Sequence, residues 1–304
     1  MLIAIDHGNK QIKLVRSESF ISGLSESEVR PFGMNVLKYK DKYYQISDQR
    51  IPYRRDKTED DRFFILTLFG IANEIEAAGA YSPGIMQVEL AVGLPPAHYG
   101  AQCQKFVEYF SRRGVVSFFY RDKPHSILIH DVACYPQSYA AAAPLLNTLV
   151  TVPLALVVDI GGYTMDFIRI KRGEGDMAAC DSLENGVIML YNKITSKVRS
   201  AHDILLSEPE IDAILSGQAV QGLGGVTPVV ERCAREFVSD LLSALRERQL
   251  ELRAGPVIFV GGGAILLKRY IEESGKVAHP LFVEDIRANV KGYEQLYRLS
   301  HSGR

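Results

Sequence analysis

The 304-residue sequence predicts an α/β protein built from two similar domains. Three observations carry that expectation. Short apolar runs of strand length alternate with segments of helical periodicity along the whole chain. A strand, an aspartate, a glycine turn and a second strand open the chain at Leu2, and the same unit recurs at Leu154. Its two aspartates, Asp6 and Asp159, stand about half the chain apart, and the length suits two domains of about 150 residues each. The expected domains are 1–150 and 151–304, with a cut near 148–152, a cleft between the halves, and a C-terminal helix near 286–298 packing back on the first.

Taken in order, Leu2–Asp6 and Gln11–Val15 read as a hairpin around the polar turn His7-Gly8-Asn9-Lys10. A second hairpin is expected at Asn35–Ser47. The charged stretch 48–62 reads as a loop entering a helix over Phe63–Ala78. Val88–Val92 is a buried strand ending at Gly93-Leu94-Pro95-Pro96, followed by a helix over about 98–113, strands near 115–120 and 126–130, and an Ala-rich helix from Gln137 to Leu146. In the second half, strands are expected at Leu154–Asp159, Thr164–Ile170 and Met177–Leu183. A helix then places Val187, Leu190, Tyr191, Ile194 and Val198 on one face. Thr227-Pro228 reads as an N-cap and first-turn proline opening a long helix. Val257–Val260 is a buried strand that runs into Gly261-Gly262-Gly263 and a further helix from Ala264.

Composition excludes several classes. Hydrophobic residues at 47% and charged residues at 23% are globular values, not those of a disordered or fibrous chain. Lys plus Arg number 35 against 36 Asp plus Glu, a net charge of −1, so no broad electrostatic grip on nucleic acid or anionic lipid is expected. Cys103, Cys134, Cys180 and Cys233 form no C-x-x-C pair, which argues for separate, mostly buried thiols in a reducing cytosol. No apolar run approaches the roughly 18 residues of a membrane span. The opening Met1-Leu2-Ile3-Ala4-Ile5 reads as a strand, not a signal peptide. A soluble, cytoplasmic protein without membrane contact is expected.

The glycine turns suggest chemistry. A tight glycine turn presents consecutive backbone N–H groups to anionic oxygens. Gly8-Asn9-Lys10 and Gly161-Gly162-Tyr163-Thr164 each offer such a turn, and together two of them suit a polyphosphate. Asp6 and Asp159 end buried strands just before the turns, where a carboxylate meets a hydrated Mg²⁺ beside phosphates. Lys13, on the outgoing strand, is long enough to reach the terminal phosphates. The glycines at 261–263 let a flat ring approach the backbone closely. No Walker sequence and no G-x-G-x-x-G occurs.

Asp6-His7-Gly8-Asn9-Lys10-Gln11-Ile12-Lys13, Asp159-Ile160-Gly161-Gly162-Tyr163-Thr164-Met165-Asp166 and Val260-Gly261-Gly262-Gly263-Ala264 resemble, in this order, the phosphate 1, phosphate 2 and adenosine motifs of the actin-like ATPase superfamily. Tyr135–Ala141 resembles its first connecting helix and Ile286–Tyr297 its second. Within the superfamily the chain looks most like the ParM/StbA-type proteins of plasmid partition. The resemblance implies duplicated RNase H-like domains with ATP or ADP and Mg²⁺ in the cleft. It implies that Asp6 and Asp159 hold the metal through water, that Gln137 orients the attacking water, and that Asn289 joins the nucleotide contacts. It also implies a filament of self-copies, with a DNA-binding adaptor holding the DNA. Lys10 departs from the small or hydroxyl residue of many relatives; it either adds a phosphate contact or points outward. The alternatives are a non-polymerising nucleotide-binding scaffold and a small-molecule kinase, for which Asp131 is the one candidate base.

The remaining residues carry plainer expectations. His7 is a turn residue, Asp166 a structural hydrogen-bonding partner, and the other histidines have no metal-ligand spacing. Arg54-Arg55-Asp56-Lys57 reads as a solvated loop. Ribose and base contacts are expected around Lys193–Lys197 or Glu208–Asp212, with no basis in sequence for choosing between them.

Overall fold

The computed structural model describes residues 1–301 and divides into two units, Met1–Ala143 with Arg287–Arg304, and Pro144–Ile286. The division falls earlier than the expected boundary after residue 150, and the C-terminal segment belongs to the first unit rather than the second. The cause lies in burial. Ala140, Val290, Tyr293 and Tyr297 pack with Ala4 and Ala91 in one apolar cluster, so both segments are needed to close that face.

The first unit contains β1 (Leu2–His7), β2 (Gln11–Leu14), β3 (Phe20–Ile21), β4 (Leu24–Ser27), β5 (Val36–Tyr39), β6 (Lys42–Ile46), α1 (Arg62–Ala77), β7 (Ile85–Leu94), α2 (Pro96–Ser111), β8 (Val115–Tyr120) and β9 (Lys123–Pro136). Its nine-stranded sheet runs β3-β2-β1-β7-β9-β8-β5-β6-β4. β1 is central, antiparallel to β2 and parallel to β7. Such a strand is covered on both faces, which is why it reads as a continuous apolar run instead of an alternating one.

A 3-10 helix (Ala140–Leu145) and the single-turn α3 (Leu146–Leu149) follow. The expected α-helix from Gln137 does not form there. β9 extends to Pro136, Ser138 takes a left-handed conformation (φ 63°), and Pro144 lies inside the 3-10 segment. Proline has no N–H to donate and disfavours α geometry in the residue before it, which blocks a continuous α-helix through this stretch.

The second unit contains β10 (Ala155–Ile160), β11 (Met165–Lys171), β12 (Glu174–Leu183), α4 (Val187–His202), α5 (Glu208–Leu215), α6 (Thr227–Glu247), β13 (Pro256–Val260), α7 (Gly262–Glu273) and β14 (His279–Phe282). Its five-stranded sheet runs β12-β11-β10-β13-β14. β10 repeats the position of β1: antiparallel to the strand after it and parallel to a later one. Val226 is the N-cap of α6, with Thr227 and Pro228 in the first turn. The Thr227 hydroxyl turns back to Leu223 O at 3.5 Å instead of capping. The core of this unit joins α4, α5, α6 and α7 to the sheet through residues such as Leu190, Ile194, Leu241 and Leu267.

The chain ends its described course in α8 (Ala288–His301), which packs on β1 and β7 of the first unit. Glycine is required at two places in that contact. A Cβ at Gly93 would run into the Tyr293 ring, and one at Gly292 into the Ala140 carbonyl.

Candidate functional site

The first half-site is built at the end of β1. Asp6 is buried, at 1% exposure, and three groups converge on its carboxylate. Lys13, directly opposite on β2, brings its ammonium to 3.2 Å from Oδ2. Gln137 donates Nε2–H to Oδ1 at 2.9 Å, and the Tyr293 hydroxyl lies 3.5 Å from the same oxygen. A carboxylate only accepts, so the Gln137 amide is fixed with nitrogen toward Asp6 and Oε1 toward the other side. The Lys13 charge rests on Asp6 rather than reaching outward.

The turn after Asp6 is held from beneath. A Cβ on Gly8 would stand 2.6 Å from Gln11 O, closer than any real side chain is accommodated. The Ser22 hydroxyl donates to Gly8 O, and Ser22 N–H to Lys10 O at 3.2 Å. Lys10 and Asn9 are half-buried. His7 is no surface turn residue: it is fully buried, stacked on Phe110 and edge-on to Phe63 and Phe106. Its Nε2 lies 2.7 Å from the Thr67 hydroxyl, which itself donates to Phe63 O; the imidazole therefore donates from Nε2. Burial first, and then the positive charge of Lys57, push the His7 pKa down to about 3 against a weaker opposite pull from Asp6. The ring is neutral.

Lys57 corrects the solvated-loop expectation. It is 5% exposed, donates to the carbonyl of His7, and places its ammonium 5.5 Å from the Phe63 ring centroid. Its neighbours are engaged as well, Arg54 with Glu59, Arg55 with His98 and Asp56 with Lys105. Sequence reasoning missed this residue because a four-residue run of charge normally signals solvent. The signal that separates it is the aromatic Phe63, which supplies the ring beneath its ammonium. Asn289 is 5% exposed, and its Oδ1 accepts the Ser138 N–H at 3.0 Å. It thus anchors the left-handed residue that follows Gln137. Asp131 lies on β9 away from Gln137 and accepts the Tyr297 hydroxyl.

The second half-site is built at the end of β10. Asp159 is 7% exposed and pairs in register with Asp166; Thr164, also buried, donates to Asp166 Oδ2 at 3.0 Å. The carbonyls of Gly161, Gly162 and Tyr163 accept the N–H groups of Val187 (3.1 Å), Ile188 (2.9 Å) and Gly186 (2.9 Å) at the start of α4. In a planar trans peptide the N–H points opposite the C=O. The N–H groups of Gly162, Tyr163 and Thr164 therefore face away from α4. Gly161 N–H closes the turn on Thr164 O at 2.8 Å.

The third glycine motif meets this half-site. Gly261 has φ 89°, and a Cβ there would collide with Asp159 Oδ1. Gly261 caps α7, so the Asp159 carboxylate lies against the positive end of that helix. At Gly263 a Cβ would stand 2.6 Å from Ile160 Cγ2, whereas above Gly262 nothing lies within 4 Å. Of the residues expected near ribose and base, Lys193 and Lys197 pair with Glu236 at 2.9 and 3.1 Å, and Asp212 accepts the Tyr191 hydroxyl at 2.6 Å.

Known proteins agree with this plan. Residues 4–139 match the family described as actin like proteins N terminal domain, and residues 157–273 match the archaeal actin homologue MreB-like, C-terminal family. Together the two matches span most of both units. The chain belongs to the actin-like superfamily. No curated protein sequence matches it, but solved actin-like structures do. The archaeal actin homologue Ta0583 superposes with a TM-score of 0.77 at 19% identity, covering 98% of this chain and 99% of that one. Apo pSK41 ParM gives 0.73 at 16% identity, covering 99% and 98%. A ParM from a 15-stranded filament of Clostridium botulinum gives 0.74 at 17% identity, covering 98% and 99%. Ta0583 has also been solved in complex with ADP. In this actin-like chain the three glycine motifs lie at the ends of β1, β10 and β13. Among the described residues no helix is long and apolar enough to cross a membrane.

Proposed function

We propose that this actin-like chain binds and hydrolyses ATP with Mg²⁺, assembles with ATP into filaments of its own copies, and through a DNA-binding adaptor drives DNA segregation, with a plasmid as the cargo. One observation carries the reading: the repeated half-site, a buried aspartate ending a central strand before a glycine turn, whose first copy holds the Gln137 amide at 2.9 Å. The filament of the Clostridium botulinum ParM supports self-assembly, and the ADP complex of Ta0583 supports the nucleotide.

The residues present fit this ligand. Gly8 and Gly261 leave no space for a Cβ, the N–H groups of Gly162, Tyr163 and Thr164 are turned to receive phosphate oxygens, and Asp6 and Asp159 offer the hard oxygen donors that suit a hydrated Mg²⁺. When bound, Mg²⁺ would neutralise charge on the phosphates. Lys13, released from Asp6, adds a positive charge beside them, and Asn9 and Lys10 line the same turn. Gly261, Gly262 and Gly263 give the adenine ring its flat approach. Gln137 acts on water. Its Oε1 accepts a hydrogen and sets the direction of attack, since an amide is too weak a base to take the proton and phosphoryl transfer depends chiefly on positioning. Asn289 serves this step through Ser138 by holding the turn beside Gln137.

Light scattering across a protein concentration series, with ATP–Mg²⁺, ADP–Mg²⁺ and no nucleotide, tests the reading. A rise above a critical concentration with ATP alone, decaying as phosphate is released, is the expected result. Nucleotide binding with a flat trace would overturn the filament and leave a scaffold. Turnover that requires an added small hydroxyl substrate would indicate a kinase.

A further inference from the structure

Ser22, the residue after β3, is 1% exposed and grips the first glycine turn twice. Its hydroxyl donates to Gly8 O, and its backbone N–H donates to Lys10 O at 3.2 Å. The turn of the second half-site is held at the corresponding carbonyls. Counted from the two aspartates, Gly8 stands where Gly161 stands and Lys10 where Tyr163 stands. Those carbonyls accept Val187 N–H and Gly186 N–H at the start of α4. One buried serine in the first unit thus does, with a side chain and an amide, what two helix-leading amides do in the second.

We propose that Ser22 is a positioning residue for phosphate at the first turn: by holding the Gly8 and Lys10 carbonyls, it presents the Asn9 and Gln11 N–H groups as donors to the phosphate oxygens of the nucleotide. The inference rests on the nucleotide reading above and names the residue that shapes its first half-site.

Peptide planarity carries the geometry. C=O and N–H point opposite ways across a trans peptide. Gly8 O on the Ser22 hydroxyl therefore aims Asn9 N–H away from Ser22, and Lys10 O on Ser22 N–H does the same for Gln11 N–H. Donors grouped on one side of a turn suit an anion. The grip is also stiff. Ser22 O accepts Ile51 N–H at 2.7 Å, and Gly23 O accepts Ser47 N–H at 3.1 Å. A Cβ on Gly23 would run into Ser47 O, so the chain passes closely there. Donors fixed before the ligand arrives cost no reorganisation when it binds. Lys57 adds charge to the same turn. Its ammonium donates to His7 O, one peptide before Gly8, and a charge buried at 5% exposure is screened far less than one in solvent.

The test follows the backbone amides of the isotope-labelled full chain by NMR during titration with ADP–Mg²⁺, with calorimetric affinities for wild type and variants. In wild type, the Asn9 and Gln11 amides should shift together with those of Gly162, Tyr163 and Thr164. Ser22→Ala releases the Gly8 carbonyl and should weaken ADP–Mg²⁺ about tenfold. At saturation it should lose the Asn9 shift and keep those of the second turn. Ser22→Thr, which retains the hydroxyl, should rescue affinity to within about threefold. Shifts at Gly162, Tyr163 and Thr164 without shifts at Asn9 and Gln11 would overturn the proposal and leave the nucleotide reading standing. Wild-type affinity in Ser22→Ala would overturn it too, and no binding of ADP–Mg²⁺ by wild type would overturn both. The wild-type shifts are read without any variant, so the donors are tested whether or not Ser22→Ala folds.

Discussion

Gln137 and Asp6 meet at 2.9 Å although 131 positions separate them in the chain. The contact exists because β9 and β1 both flank β7 in parallel, so that their C-terminal ends lie at one edge of the sheet. The amide is held by a residue near the end of β1, just ahead of the glycine turn, which couples the proposed water-positioning group to the proposed metal-binding carboxylate.

Replacing Gln137 by Ala removes the proposed positioning group and leaves the glycine turns intact. ATP turnover is expected to fall about 100-fold while nucleotide affinity stays within about threefold. Phosphate release together with equilibrium binding of a fluorescent nucleotide measures both. Turnover at the wild-type rate would remove Gln137 from the mechanism.

Gly261 and Gly262 make a matched pair. Gly261→Ala forces a side chain into a positive-φ position against Asp159 and is expected to cost about 1–3 kcal/mol, seen as a lower Tm. Gly262→Ala meets open space and should leave Tm unchanged or slightly raised. If adenine lies over this glycine, the second variant nonetheless weakens nucleotide binding. A Gly262→Ala protein with undiminished affinity would move the base elsewhere.

His7 should make stability fall with acid. Its folded pKa, about 3, lies below the ordinary value near 6.5. The unfolded chain therefore binds a proton first as pH drops, and stability is lost from about pH 6.5 down toward pH 3, by at most about 1.4 kcal/mol per pH unit from this group. His7→Leu should flatten that part of a denaturant-midpoint profile. Lys57→Met, which removes the charge that helps hold the ring neutral, should raise the His7 pKa, read by NMR titration of the imidazole. An unmoved pKa would show that burial alone sets it.

Glu74 is expected to be a stability determinant. Its side chain is fully buried and accepts from the Arg16 guanidinium at 2.9 Å, from the backbone N–H groups of Arg16 and Ser17 at 2.8 Å each, and from the Ser17 hydroxyl at 3.0 Å. Arg16 also reaches Glu294 on α8 at 2.8 Å. Glu74→Ala strands these donors and is expected to destabilise the chain by about 3–5 kcal/mol, measurable by urea unfolding. A change below about 1 kcal/mol would mean that water replaces the carboxylate.

Much of the fold was legible because its signals are local. Apolar runs at Leu2–Asp6 and Leu154–Asp159 mark the central strands, and the glycine turns beside them identify the superfamily. What escaped was long-range. Beyond the nearby Phe63, nothing announces that the Lys57 amine will be buried against the His7 carbonyl, nor does the pattern around Glu74 distinguish it from an exposed helix carboxylate. The 3-10 turn at Ala140–Leu145 carries its own cue in Pro144, but alanine content spoke for an α-helix. Thr227 was the right residue type for a cap, and one position too late.

The return of α8 to the first unit has a consequence for synthesis. On a ribosome, Met1–Ala143 emerges early but lacks the helix whose Tyr293 fills the space beside Gly93 and whose Gly292 lies on the Ala140 carbonyl. Pro144–Ile286 has its whole sequence in hand before that helix is translated. The unit made first is therefore the one that must wait, its β1–β7 face uncovered, until α8 leaves the exit tunnel.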